Sequence, residues 1–365
     1  MWDDELTDVA TSFAAFLEWT GGTVLVSRAS LGLEAVLRAW RGTDPLHVAL
    51  SPIVCQDVVA AILAADCVPH FVDVDPETGE VLPCGWLVAR EAGCTVAIIV
   101  HLYGRLADVA AASSVFSSDD CLVVDDAAQA FGTTSAEGFA GTLADIGLVS
   151  FGATKQITSG GAAVLVRSPQ LLHDLRCVLD TIPYVDAAHA HVEEKSFRSA
   201  FDRARDVLVG RGPASAPFVG LLDGYEDAIR VEVDPGVMRG LPSELHAFPH
   251  AAAQRVLKAR RWQEGLSGSR FVEVPFVSGE IPWRYVCRLP GSTWAEQRSV
   301  AEAIRAAGIS TSNWYLPAHW YLADSAPLPG AEQFASEVFQ FWVDDSLDLD
   351  AVGRASDRVR DMVGA

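Results

Sequence analysis

Lysine is scarce in this chain. Of its 27 basic residues, three are lysines, Lys155, Lys195 and Lys258. Wherever a positive charge alone suffices, the sequence uses arginine. A guanidinium stays protonated and is no practical nucleophile, whereas a lysine amine can lose its proton and attack a carbonyl. Long apolar runs are also missing. No stretch of about 18 uncharged apolar residues exists; residues 49–65 come nearest, and Gln56 and Asp57 interrupt them. No membrane-spanning helix is expected. The N-terminal residues 1–6 are acidic and lack the basic segment of a signal peptide. The seven cysteines are scattered, odd in number and never form CxxC, which fits a reduced cytoplasm rather than a disulfide scaffold or zinc ribbon. No GxGxxG sits at a strand–helix turn and no GxxxxGK[ST] occurs, which counts against a dinucleotide site and a P-loop. Internal repeats and low-complexity tracts are absent.

At 365 residues, with half of them hydrophobic and 21% charged, the chain can bury a large core and is expected to form one large and one small domain. The net charge of −21 argues against nucleic acid or an anionic membrane as a partner. An anionic substrate would need a local basic patch set against that field.

What is present gathers around residues 121–166. Residues 121–124 are an apolar run suited to a buried parallel strand, and the run ends in Asp125 and Asp126. Residues 146–151 read as a second buried strand, leading through Ser150 and a small-residue turn to Lys155. Residues 162–166 read as a third. Ligands of open α/β folds sit at the carboxyl ends of strands, so Asp126 and Lys155 should border one crevice. A rare lysine after a buried strand, downstream of a strand-end aspartate, is what pyridoxal phosphate (PLP) chemistry requires: the lysine holds the aldehyde as an imine, and the aspartate keeps the pyridine nitrogen protonated. The alternative is a surface lysine in a glycine-rich loop.

Upstream, short strands (24–26, 47–50, 70–75, 95–100) alternate with helical patterns (5–18, 31–40, 56–65, 107–116). Strand–helix alternation from about 20 to 166 predicts a mostly parallel sheet with helices on both faces. The run Ser27-Arg28-Ala29-Ser30 leads into a helix whose N-terminus is either an anion site or a simple N-cap. Further on, 171–179 and 243–262 are helical in pattern, the latter apart from Pro249. Residues 271–275 and 283–289 read as strands of a small α+β domain, 293–307 as an amphipathic helix capped by Gly308, and 344–363 as a closing helix. Residues 210–213 read as a loop. His189, His191, Glu193 and Glu194 match no metal-ligand spacing and read as a solvated helical face; no metal site is expected.

The runs Asp125-Asp126-Ala127-Ala128-Gln129-Ala130, Ser150-Phe151-Gly152-Ala153-Thr154-Lys155 and His101-Leu102-Tyr103-Gly104 resemble the DegT/StrS-type aminotransferases, a fold type I PLP family that acts mostly on nucleotide-linked keto sugars. The resemblance spans about 20 to 350 and is strongest over 95–165. It implies a seven-stranded-type sheet sandwiched by helices in a large domain (1–240), with a smaller C-terminal α+β domain (241–365). It implies Asp126 on the pyridine nitrogen, Gln129 near the ring hydroxyl, Ser150 on the phosphate and Lys155 as the imine-forming catalytic residue. Ala29-Ser30 stands where a Gly-Thr pair holds the phosphate. Near Cys55 the family places an aromatic that stacks on the ring; Ile53, Val54 and Cys55 stand here instead, so stacking comes from a thiol, from an aliphatic group or from elsewhere in the chain. The turn after Lys155 also departs, with Ser159-Gly160-Gly161 and no glutamate. By the same resemblance Arg239 is the candidate to reach a partner subunit's phosphate, and Tyr315 and His319 are candidates for approaching substrate; an aromatic domain interface is the other reading of the last two. His101 reads as structural. The expected activity is PLP-dependent transamination of a keto group on a sugar, cyclitol or related intermediate, with a small-molecule substrate and an amino donor, by a cytoplasmic homodimer with composite sites. The rivals are a PLP enzyme of elimination or C–C bond formation and an inactive sensor or scaffold.

Overall fold

A computed structural model describes residues 4–42, 45–211, 218–323 and 326–364; residues 1–3 of the acidic N-terminus, and Gly212 and Pro213 of the expected loop, lie outside them. Each short apolar run of the first half is a strand. The chain begins with α1 (Asp4–Phe16), β1 (Gly22–Val26), α2 (Ala29–Trp40), β2 (His47–Leu50), α3 (Gln56–Ala64), β3 (Val68–Phe71), α4 (Pro83–Glu91), β4 (Val96–Val100), α5 (Val109–Val115) and β5 (Leu122–Asp126). A small hairpin, β6 (Thr134–Ser135) and β7 (Gly138–Phe139), precedes β8 (Ile146–Ser150) and β9 (Ala162–Val166). Seven of these strands form one sheet in the order β1-β9-β8-β5-β4-β2-β3. Strands β5 and β9 are buried along their whole length. Helices cover both faces, which is why these strands read as continuous apolar runs rather than alternating ones.

The expected strand–helix alternation breaks between β8 and β9. From β3 to β8 the neighbours pair in parallel, whereas β9 runs antiparallel to both β8 and β1. A parallel partner needs a crossover of about a dozen residues or more, usually a helix. The short link between β8 and β9 ends in Gly160 and Gly161 at φ +87° and +80°, and the chain turns straight back. That turn carries Lys155. The strand expected over 70–75 is also shortened. β3 ends at Phe71, and the Asp73 carboxylate accepts from the N–H groups of Gly330 and Ala331.

The second half runs through α6 (Pro169–Leu179), α7 (Ala187–Arg211), α8 (Glu226–Ile229), α9 (Pro235–Met238) and α10 (Leu241–Leu266) to β10 (Val272–Glu273), β11 (Arg284–Arg288), α11 (Trp294–Ala306), β12 (Thr311–Ser312), α12 (Pro329–Glu337), β13 (Val338–Trp342) and α13 (Leu349–Val363). The last four strands make an antiparallel sheet, β10-β11-β13-β12. Helix α10 continues through Pro249, where the sequence pattern suggests an interruption. An interior proline costs about 3 kcal/mol; burial of neighbouring Phe248, 4.7 Å from the Phe131 ring, and of Ala252 offsets it. The expected boundary at 240/241 falls at the head of α10. Leu241, Leu245 and Phe248 pack with Phe13 and Phe131 of the first half, while Ala259, Trp262 and Leu266 pack into the small sheet. Leu316, Trp320 and Tyr321 return to the core of the large sheet. Among the described residues, no helix is long and apolar enough to cross a membrane.

Candidate active site

Successive side chains of a strand point to opposite faces, and β5 uses this to separate its two carboxylates. Asp125, fully buried, accepts from the Gly141 and Leu143 N–H groups at 2.9 and 2.8 Å and lies 2.5 Å from His101 Nε2. The Ala107 N–H donates to the other ring nitrogen, so Nε2 carries the proton and donates to Asp125. His101 is therefore a structural prop. Asp126 turns the other way and lines a cavity of about 690 Å³. Its Oδ1 accepts from the Ala128 N–H at 2.9 Å. Burial raises its pKa above the ordinary 3.8, against the pull of that N–H and of Lys155.

Lys155 borders the same cavity. Burial lowers its pKa below the usual 10.5, with Cys55, Asp126 and Asp57 acting the other way; its amine is thereby moved toward the neutral, nucleophilic form. Its Nζ stands 5.0 Å from the centre of the Trp283 ring, and Trp283 Nε1 donates to the Thr154 carbonyl. Lys155 also borders a second cavity of about 530 Å³ beside α10, together with Arg255 and Asp344. Cys55, at the head of α3, faces the first cavity, and burial pushes its thiol up to about 12.

The turn after β1 supplies the rest. Helix α2 starts at Ala29 with Arg28 in the cap position, and no side chain caps it. Ser30 is therefore the second residue of the helix, within its first turn, rather than an N-cap. Ser27, Arg28, Ala29 and Ser30 all line the cavity, as does Ser150 from the end of β8. Free N–H groups and the helix dipole make such an end favourable to anions.

These elements share one layout: the turns after β1, β2, β5 and β8 meet at the carboxyl edge of the sheet, and each delivers a cavity residue. Residues 3–191, more than half of the chain, match the DegT/DnrJ/EryC1/StrS aminotransferase family. The chain belongs to that family. Protein MosB of Rhizobium meliloti is 31% identical over 163 residues, 44% of this chain and 32% of that protein. The L-glutamine:2-deoxy-scyllo-inosose aminotransferase of Streptoalloteichus tenebrarius is 31% identical over 132 residues, 34% of this chain and 31% of that protein. The matches thus span about a third of the length of these curated relatives. The crystal structure of the aminotransferase TlmJ from Streptoalloteichus hindustanus superimposes with a TM-score of 0.76 at 22% identity, covering 98% of this chain and 90% of that one. The fold is that of fold type I PLP enzymes, and PLP is the cofactor that family membership implies.

The cavity residues of this DegT-family chain suit that group. The buried Asp126 carboxylate complements a protonated ring nitrogen, which bears the opposite charge. Ser30, 7% exposed, finds no hydrogen-bond partner for its hydroxyl among the described residues, and it faces the cavity beside the uncapped end of α2. A phosphate oxygen would satisfy both.

Of the residues expected at the site, the structure brings Ala29, Ser30, Cys55, Asp126, Ser150 and Lys155 to one cavity. Gln129, Arg239, Tyr315 and His319 are not in its lining. Both ends of the Gln129 side chain are committed: Oε1 accepts from the Tyr103 N–H at 3.0 Å, and Nε2 donates to the Tyr315 hydroxyl at 2.9 Å. Arg239 is exposed, next to Met238, which does line the cavity. His319 is buried, 3.3 Å from Glu332 and against the Phe71 ring. The face of α7 expected to be solvated is not wholly so. His191 and Glu194 wall the cavity, and Glu194 pairs with Arg28 at 2.7 Å. Arg28, Glu194 and Trp283 are the site neighbours that sequence reasoning passed over. Arg28 lies within the singled-out turn but carried no motif of its own.

Proposed function

We propose that the chain is a PLP-dependent aminotransferase that places an amino group, taken from a small amino donor, on a keto carbon of a sugar, cyclitol or related intermediate. The observation that carries this reading is the convergence of Asp126 and Lys155 on one cavity. PLP, when bound, supplies an electrophilic aldehyde and an electron-withdrawing ring. Lys155 is the amine that would hold that aldehyde and then carry a proton to and from the substrate's α-carbon. Asp126 would hold the proton on the ring nitrogen, and Ser30, Ser150 and the first turn of α2 would bind the phosphate. Cys55 takes the place of the aromatic expected to stack on the ring. Gln129 would act through Tyr103 and Tyr315, while Tyr315, His319 and Arg239 would serve substrate or a second subunit.

The sugar or cyclitol follows from relatives such as the inosose aminotransferase named above. The exposure of Arg239 beside a cavity residue supports a homodimer with composite sites, and the cysteine pattern supports a cytoplasmic location. The deciding experiment is an absorption spectrum before and after adding PLP, then borohydride reduction and peptide mapping. A visible band that reduction bleaches, with the label on Lys155, is expected. No band and no label would remove the reading. Conversion of the holoenzyme to its amine form by glutamate or glutamine separates transamination from a second reading, elimination or C–C bond formation, which the cysteine at position 55 motivates.

A further inference from the structure

The cavity beside Lys155 is poor in positive charge. Among the described residues that line it, Arg28 and Lys155 are the cations, against the carboxylates of Asp57, Asp126, Glu194, Glu232 and Asp234. A phosphate there meets a repulsive field unless a cation stands beside it. In the function proposed above, Lys155 is committed to the aldehyde. That leaves Arg28. Its backbone, extended at φ −145° and ψ 145°, is the cap of α2, and Arg28 lines the cavity together with Ala29 and Ser30. Glu194 of α7 takes Nη1 at 2.7 Å, one of five donors in the fork. The rest of the planar fork suits phosphate oxygens. The pair is about a third exposed on each side, so the guanidinium sits at the rim with an open approach. Glu194 lies beyond residue 191, where the family match ends.

We propose that Arg28, held at the cavity rim by Glu194, is the intrachain counter-charge for the phosphate of the bound cofactor and sets the preference for phosphorylated over unphosphorylated pyridoxal. The assignment rests on the PLP reading and deepens it.

The test is a pair of titrations at fixed ionic strength, one with PLP and one with pyridoxal, followed by absorbance and tryptophan fluorescence. Wild type, Arg28→Met and Glu194→Gln are compared. Both ligands carry the aldehyde, so Lys155 contributes to each alike. Arg28→Met is expected to weaken PLP by about ten- to a hundredfold, the size of a lost charge-assisted bond, and to leave pyridoxal unchanged. Glu194→Gln, which keeps Arg28, is expected to retain the preference for PLP. Should Arg28→Met fail to fold, Arg28→Gln is the second variant, and its preference is expected to fall likewise. Equal weakening of both ligands, or of neither, with PLP still fixed on Lys155 by borohydride, overturns the proposal while sparing the cofactor. Weakening of pyridoxal as much as of PLP in both Arg28→Met and Glu194→Gln overturns it too, because the ion pair would then act only as a structural tie. A wild type that binds neither ligand removes the cofactor reading and this one with it.

Discussion

His101 and Asp125, both wholly buried, meet at 2.5 Å on the face of β5 opposite Asp126. The prop holds the end of the strand from which Asp126 reaches the cavity. Taking one donor from a buried carboxylate that keeps two N–H groups costs about 1.5–3 kcal/mol, the worth of a hydrogen bond to a charged group. His101→Phe keeps the ring's bulk and removes the donor. Its urea midpoint is expected to fall by a corresponding amount; an unchanged midpoint would show that the two N–H groups on Asp125 suffice.

Asp126 should give the cofactor-free protein a pH signature. Burial raises its pKa above 3.8 in the fold, so the folded chain binds the proton more tightly than the unfolded one. The destabilisation is absent below the unfolded pKa and complete above the raised folded value. Asp126→Asn keeps the acceptor for the Ala128 N–H and cannot ionise. It is expected to exceed wild type in stability near neutral pH, with the gap closing as pH falls toward 3.8. Denaturation curves across that range check the sign, and a gap that widens on acidification would refute it.

Cys55 should be a poor nucleophile. With its thiol pushed up to about 12, the thiolate is scarce at pH values near 8. Brief iodoacetamide treatment at that pH should label the exposed Cys84 and Cys177 well before Cys55. Peptide mapping that finds Cys55 labelled first would contradict its placement.

Trp283 bears on Lys155. A cation over an indole face gains about 0.5–2 kcal/mol, and the Lys155 Nζ stands 5.0 Å from that ring. Removing the ring disfavours the charged amine. Trp283→Leu is therefore expected to lower the pH at which Lys155 becomes reactive in cofactor-free protein, read from the pH dependence of its reductive methylation. A titration that is unmoved, or moved upward, would mean that the contact does not act on the amine.

Much of the layout was legible beforehand because its signals are local. The apolar runs ending at Asp126 and Ser150 mark buried strands, and the residues just beyond a strand's carboxyl end must lie at the edge of the sheet where ligands sit. Cys55 and Ala29-Ser30 follow by the same rule. Where nearby residues give competing signals, the local pattern misleads: Pro249 argues for a break that packing around Phe248 overrides, and the apolar neighbours of Asp73 suggest a strand although its carboxylate holds the start of α12. Reading His189 to Glu194 as a solvated face hides the role of Glu194, because helical periodicity distinguishes faces without saying what each face meets.

The sequence by itself determined that a lone lysine would follow one buried strand and an aspartate would end another, since strand identity depends on residues adjacent in the chain. The tertiary structure alone decided that Arg28 meets Glu194 across 166 positions, that Lys155 lies against Trp283, and that Gln129 is engaged by Tyr103 and Tyr315. Such contacts depend on how separate elements pack in space, which no local pattern of side chains encodes.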